Sequence, residues 1–404
     1  MRIQTRYVVL FLTLVVQAST SLVQQGIGAL VPFIAAALAL DHAHVGIAVA
    51  SMSAGSAAFT ALSGIAVDYF GERAVILSTG VATGLALVGA SLVPSYGWLV
   101  FWLFVFGIGY GASTPAGGRA VLLWFTKDRG FAMGVRQTGV PVGGLVGTLL
   151  LPLVASHAGY RWALAAGGLL CIALSTAAAL AYRSPDGAAH VSAQPLGELW
   201  RGMLRIARSA ESLAVNATCG LLVSAQYVVI SFLALSLISR AHAGIQLAAA
   251  ALAVVQAAAA VGRLLWGTVS DRVFGGDRMA PMAVLCVIAA AGMLWLAALR
   301  HPSAPAALGV AAVLGLSAAA WNGLFAAVQA EIGGPERAGS SLGVGLTAIY
   351  GAGALAPPLF GALVDRAGFA LAWHVLSAVV LLGVLPALTA RHLLRAQRAA
   401  AAAA

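Results

Sequence analysis

A chain of 404 residues that is 61% hydrophobic and only 8% charged, with a mean hydropathy of +0.96, lies far outside the range of soluble globular domains and reads as a protein that crosses a membrane many times. The formal charge of +10 comes without a hydrophilic domain to display it, which excludes a nucleic-acid-binding role. No HExxH and no glycine-rich phosphate loop before a basic residue occurs, so the chain is not expected to be an enzyme.

A spanning helix needs about 20 apolar residues. Runs of that kind lie at 7–33, 45–67, 74–93, 98–125, 131–155, 162–181, 212–238, 245–270, 279–299, 306–330, 338–364 and 371–389, which predicts an all-α membrane protein of twelve spans. The Gly and Pro scattered through them are tolerated at membrane depth, where neighbours re-satisfy freed backbone groups. The first run is too long for a signal h-region and lacks a small-residue cleavage site, so it is expected to be retained. It carries Gln17, Gln24 and Gln25.

After the second span comes Gly64-Ile-Ala-Val-Asp68-Tyr-Phe-Gly71-Glu-Arg73. The fourth holds Tyr110 and, behind Gly117 and Gly118, Arg119; the fifth holds Arg136 beside Gln137 and Thr138, then Gly139-Val-Pro141-Val-Gly143-Gly144. The sizeable hydrophilic interruption, 182–211, includes an amphipathic stretch around 199–207 and splits the chain into 1–181 and 212–404, six spans each. Past it, the seventh span carries Gln226 and Tyr227, the eighth Arg263, the tenth Trp321, Asn322 and Phe325, and the eleventh Tyr350. The eighth ends in Gly267-Thr-Val-Ser-Asp271-Arg272-Val-Phe-Gly275, a repeat of the pattern after the second; 127–134 and 335–343 form a further pair. Two pseudo-symmetric halves point to a transporter with its site at the repeat interface.

Three arginines, Arg119, Arg136 and Arg263, sit about 9 to 12 Å inside their spans at 1.5 Å per residue. A charge at that depth costs about 3 kcal/mol on insertion scales, so it faces a cavity, a partner or a substrate, or snorkels to the headgroups. A planar guanidinium matches both oxygens of a carboxylate and stays charged when desolvated, which favours an anionic substrate. None of the twelve acidic residues falls in the middle third of a span, and the histidines lie near span ends. Anion exchange, or symport with the proton carried on the substrate or a peripheral group, follows as the expectation.

Cys171, Cys219 and Cys286 are odd in number and lack CxxC spacing; they read as packing residues, with no metal site and no cofactor. Fifteen of the 22 Lys and Arg collect on one face and four on the other, which puts both termini in the cytoplasm of a cell whose inner (plasma) membrane holds the protein.

Residues 64–73 resemble the signature loop of the major facilitator superfamily, and the resemblance extends over essentially the whole chain. It implies the twelve-helix fold of that family, with Asp68, Arg73, Asp271 and Arg272 as gating or conformational latches. Within the superfamily, Arg263-Leu-Leu-Trp-Gly267 is similar to the organic-anion branch that includes monocarboxylate transporters and oxalate/formate antiporters, where such an arginine binds the substrate carboxylate. In that likeness Arg263, Arg136 and Arg119 are candidate ligands. Gln24, Tyr110, Tyr227 and Asn322 qualify because the first, fourth, seventh and tenth spans line the family's cavity; Trp321 adds an aromatic wall. Two features depart from the branch: the aromatic-rich first span is replaced by glutamines, and the acid a turn before the arginine is Ala259. Substrate identity and proton coupling therefore do not carry over from the branch; the expected function is secondary active transport of a small organic carboxylate across the bilayer by a monomer, with a proton or counter-anion as coupling partner. The alternatives are a drug or cation exporter of the same superfamily, whose fourth-span arginine ahead of Gly107-Ile-Gly109 is missing here, and a non-transporting membrane sensor.

Overall fold

The computed structural model describes residues 2–125, 129–183, 201, 204–241, 244–299 and 303–403, without the side chains at 2–4, 61–62, 64–69, 115, 119, 122, 129–131, 240–241, 330, 334–340 and 399–403. The described residues are helical almost throughout and contain no strand. They divide into two compact units, Met1–Ala193 and Gln194–Ala404.

Ten of the described helices are long and apolar enough to cross a bilayer. The last of them, Ser341–Arg398, has 58 residues, about 87 Å of helix and too long for one crossing. Gly368, at φ +77°, interrupts it, dividing the eleventh span from the twelfth. The remaining span is the first part of the 51-residue helix His42–Leu92, which breaks at Gly71 (φ +77°, ψ 158°) before the third. Twelve spans result, as the apolar runs predict.

Gly71 closes the first repeated motif, and Gly275, at φ +60°, closes the second. A side chain resists positive φ and glycine does not, so the two glycines turn the chain at matching places. Each repeat thus carries a positive-φ glycine three or four residues after its aspartate.

Packing in the first unit depends on small residues. Gly139, Gly143 and Gly147 of the fifth span meet the backbone of Leu14, Ala18 and Leu22 of the first, turn by turn; a Cβ at Gly143 would stand 2.9 Å from the carbonyl carbon of Ala18. Lipid supplies no hydrophobic drive between helices, so such close backbone approach is what holds them. The second unit does the same where Gly262 faces Ala320 and Gly315 faces Ala258, but its seventh and eleventh spans meet through a ring, with Tyr227 lying on Gly353.

The tenth span differs from its expected form as one helix over 306–330. It runs as a helix from Ala304 to Ser317, passes through a turn at 318–321 and resumes at Asn322.

Candidate functional site

In the first unit the fifth span opens as a short helix, Arg129–Gln137, and loosens at Thr138 before continuing from Gly139. Arg136 lies in the last turn of that helix and is 1% exposed. Its Nη2 donates to Oε1 of Gln17 on the first span (2.7 Å) and to the carbonyl of Ser113 on the fourth (3.1 Å). Gln17 in turn donates to Oγ of Ser21 (3.2 Å). The guanidinium rests on Gly117, where a Cβ would lie 2.8 Å from its Cζ. Gly117 therefore clears room for a cation. Arg136 is enclosed within its own unit, with two neutral acceptors among its partners.

Gln24 and Gln25 are buried on the same span as Gln17, and Oε1 of Gln24 meets no hydrogen-bond donor among the described residues. Tyr110 is buried a turn from Ser113 and stacks on Phe106, with centroids 6.2 Å apart. The side chains of Arg119 and Asp68 lie outside those described. Arg73 donates from Nε to the carbonyl of Ala179 (2.8 Å), near the C-terminal end of the sixth span. A cation there meets acceptors left open by the helix end and the negative end of its dipole. Beside it Tyr182 donates to Oε1 of the buried Glu72 (2.9 Å), a pair that sequence reading missed.

In the second unit Arg263 is half-buried on the eighth span, between exposed Val261, Leu264 and Leu265. Its backbone carbonyl passes Gly323 of the tenth span. One turn on, Nε1 of Trp266 donates to the carbonyl of Leu316 (2.8 Å). Trp321 is 1% exposed, stands edge-on to Phe325 at 5.8 Å, and its Nε1 meets no acceptor among the described residues. Asn322 donates to the carbonyl of Ala319 (3.3 Å) and, at 3.4 Å, to Oε1 of Gln226. Tyr227 and Tyr350 are buried. The structure thus draws Arg263, Trp321, Asn322 and Gln226 onto neighbouring turns of three spans. A neutral chain below them joins Asn216, Gln329 and Ser341: Gln329 donates to Asn216 (2.8 Å) and accepts from Ser341 (2.7 Å).

Of the two latch candidates in the second motif, one is paired and one exposed. Asp271 pairs with Arg278, while Arg272 is exposed. The hub is Asp277, which sequence reading passed over. It caps the ninth span through the amides of Met279 (3.0 Å) and Ala280 (3.1 Å) and binds Arg391 (2.7 Å) and Arg395 (3.0 Å) of the last helix. Burial pushes its pKa up, but the Arg391 bond and the two amides outweigh that and hold the carboxyl below its usual range. Glu331 adds bonds to Arg398 (2.6 Å) and Arg278 (3.5 Å). The last helix is strapped to the ends of its own unit.

Residues 10–357 match the family model for the Major Facilitator Superfamily. An uncharacterized MFS-type transporter of Mycobacterium tuberculosis (strain CDC 1551) is 30% identical over 96% of this chain and 86% of its own length. The probable sulfoacetate transporter SauU of Cupriavidus necator is 27% identical over 97% of this chain and 95% of its own. Among solved structures, a bacterial homolog of the human lysosomal transporter Spinster, inward-facing and occupied, superposes with a TM-score of 0.73 at 18% identity over 96% of both chains. Twelve spans in two units, turned at the glycines of a repeated motif and matched along most of their length, place this chain in the major facilitator superfamily as a multi-pass membrane transporter.

Proposed function

We propose that the protein is a secondary active transporter of a small organic anion, a carboxylate or sulfonate, working by alternating access. The observation that carries this reading is Arg263, half-buried about 12 Å along its helix from Asp271. A guanidinium at that depth provides paired donors of a geometry that planar or tetrahedral oxyanions fit, and it cannot discharge by losing its proton. The full-length likeness to a probable sulfoacetate transporter supports the same cargo class. Arg136 is the second candidate: its bond to Gln17 is charged on the donor side alone, and a carboxylate adds the opposite charge and paired acceptors, so an arriving anion competes with Gln17 for its donors. Arg119, Gln24, Tyr110, Tyr227, Trp321 and Asn322 complete the candidate set. The excess of basic residues on one face supports a plasma-membrane protein with both termini in the cytoplasm. In this reading the protein acts as a monomer and is coupled to a proton or counter-anion.

Counterflow of labelled carboxylates and sulfonates in proteoliposomes tests the reading. Loss of counterflow in Arg263→Ala, with the protein folded and Arg263→Lys partly active, is the expected result. Energy-dependent efflux of cationic dyes in place of anion flux would move the assignment to an exporter. Ligand binding without any flux would move it to a sensor.

A further inference from the structure

The tenth span breaks where its sequence is most helical. Ser317-Ala318-Ala319-Ala320 carries three of the strongest helix formers in a row, and neither Pro nor Gly lies between 316 and 322. Propensity therefore does not account for the turn at 318–321; Ser317 Oγ donates back to the Val313 carbonyl (2.6 Å), which bends a helix slightly, and a tertiary contact adds to it. The hydrogen bonds identify it. In a regular helix the amide of Ala320 would bond the carbonyl of Leu316. Here that carbonyl receives the indole N–H of Trp266 at 2.8 Å, and the Ala320 amide falls back on Ser317 at a long 3.4 Å. Ala318 (ψ −26°) and Trp321 (ψ −16°) have the tightened geometry of a 3₁₀ turn. A side chain inserted into the ladder is an established cause of a kink, and short 3₁₀ stretches inside helices mark hinges. Asn322 completes the break by bonding the Ala319 carbonyl.

We propose that Trp266 is a positioning residue, a wedge that keeps a hinge open in the tenth span and ties it to the helix carrying the cargo site. Trp266 lies three residues past Arg263, and the two helices touch where Gly262 meets Ala320 and where the Arg263 carbonyl passes Gly323. A ligand that shifts Arg263 shifts Trp266 with it, and the indole pulls on Leu316. Bending at 317–321 then follows occupancy of the eighth span. The link to cargo rests on the anion reading of Arg263; the wedge itself does not.

The test is Trp266→Phe in the full-length protein, which keeps a ring and removes the donor. Without ligand, the amides of 318–321 should exchange with deuterium about tenfold more slowly, the equivalent of one regained hydrogen bond. In proteoliposomes, sulfoacetate turnover should fall about tenfold while its affinity, read by thermal shift, stays within about twofold, the split that marks a gating step. Trp266→His restores a ring N–H and should recover both exchange and turnover, which also guards against a misfolded Phe variant. Unchanged exchange at 318–321 in the Phe variant overturns the wedge, and unchanged turnover alongside slowed exchange overturns its tie to cargo movement. Should sulfoacetate neither bind nor move in the parent protein, the anion that does so in the counterflow panel replaces it as the probe; should none do so, the anion reading fails and the exchange measurement alone decides the hinge.

Discussion

The two units solve one packing problem with different chemistry. Where the first, fourth and fifth spans converge, a cation is enclosed: Arg136 binds Gln17 and Ser113 and lies on Gly117. At the convergence of the seventh, tenth and eleventh, the bonds run through neutral groups, Asn216, Gln329 and Ser341, and rings fill the space over glycines, Phe325 against Gly345 and Tyr227 against Gly353. The ion pairs of Asp277 and Glu331 lie instead at the end of the second unit, away from this convergence. A duplicated scaffold thus preserves helix neighbours and turn glycines while the polar groups between the helices are free to diverge.

The comparison breaks most visibly at the glycines. Gly143→Val would drive a side chain into the backbone of Ala18, and we expect little folded protein on size-exclusion chromatography. Gly353→Val meets a Tyr227 ring that can yield, at about 1 to 3 kcal/mol, so a folded but less stable protein is the expected outcome. Equal losses from the two would remove the distinction between backbone and ring packing.

Next in size is the loss of an acceptor. Gln17→Leu strips a hydrogen bond from a buried guanidinium and should cost about 1.5 to 3 kcal/mol. Gln329→Leu interrupts a neutral chain, for which membrane proteins show about 0.6 to 1.7 kcal/mol. Melting curves of the two variants sharpen the contrast, and a larger loss from Gln329→Leu would reverse it.

The end network sets a pH dependence. Because the Asp277 carboxyl is held below its usual range, its contribution is complete above the ordinary value of about 3.9 and disappears as pH falls through the lowered one. Melting temperature should therefore not move on account of Asp277 between pH 7 and about pH 5, and Asp277→Asn should remove a loss seen below about pH 4. The smallest effect belongs to Arg395→Ala. That side chain is largely solvent-exposed, and we expect under about 1 kcal/mol, less than for Arg391→Ala.

Span number, the internal repeat and the motif glycines could be read from the chain because membrane thickness imposes a length and a left-handed turn demands glycine. Arg263 was legible as a candidate through the glycine four residues after it. Other features were hidden by their range. Gln17 lies 119 positions from Arg136, and no local pattern links them. Asp277, followed at once by Arg278, reads as a solvated charge pair, although Arg391 reaches it from 114 positions away. The break at 318–321 was masked by its own alanines, and the indole that bonds the Leu316 carbonyl beside it comes from another helix.

Arg136 has a consequence for how the chain is made. A ribosome delivers the first span before the fifth, so Gln17 already stands in the bilayer when the costly guanidinium arrives at the insertion machinery. The amide works as a waiting receptor for a later segment, and order of synthesis becomes part of the folding code. A version of this protein rearranged to start at the fifth span would have to insert its cation before the host for it existed.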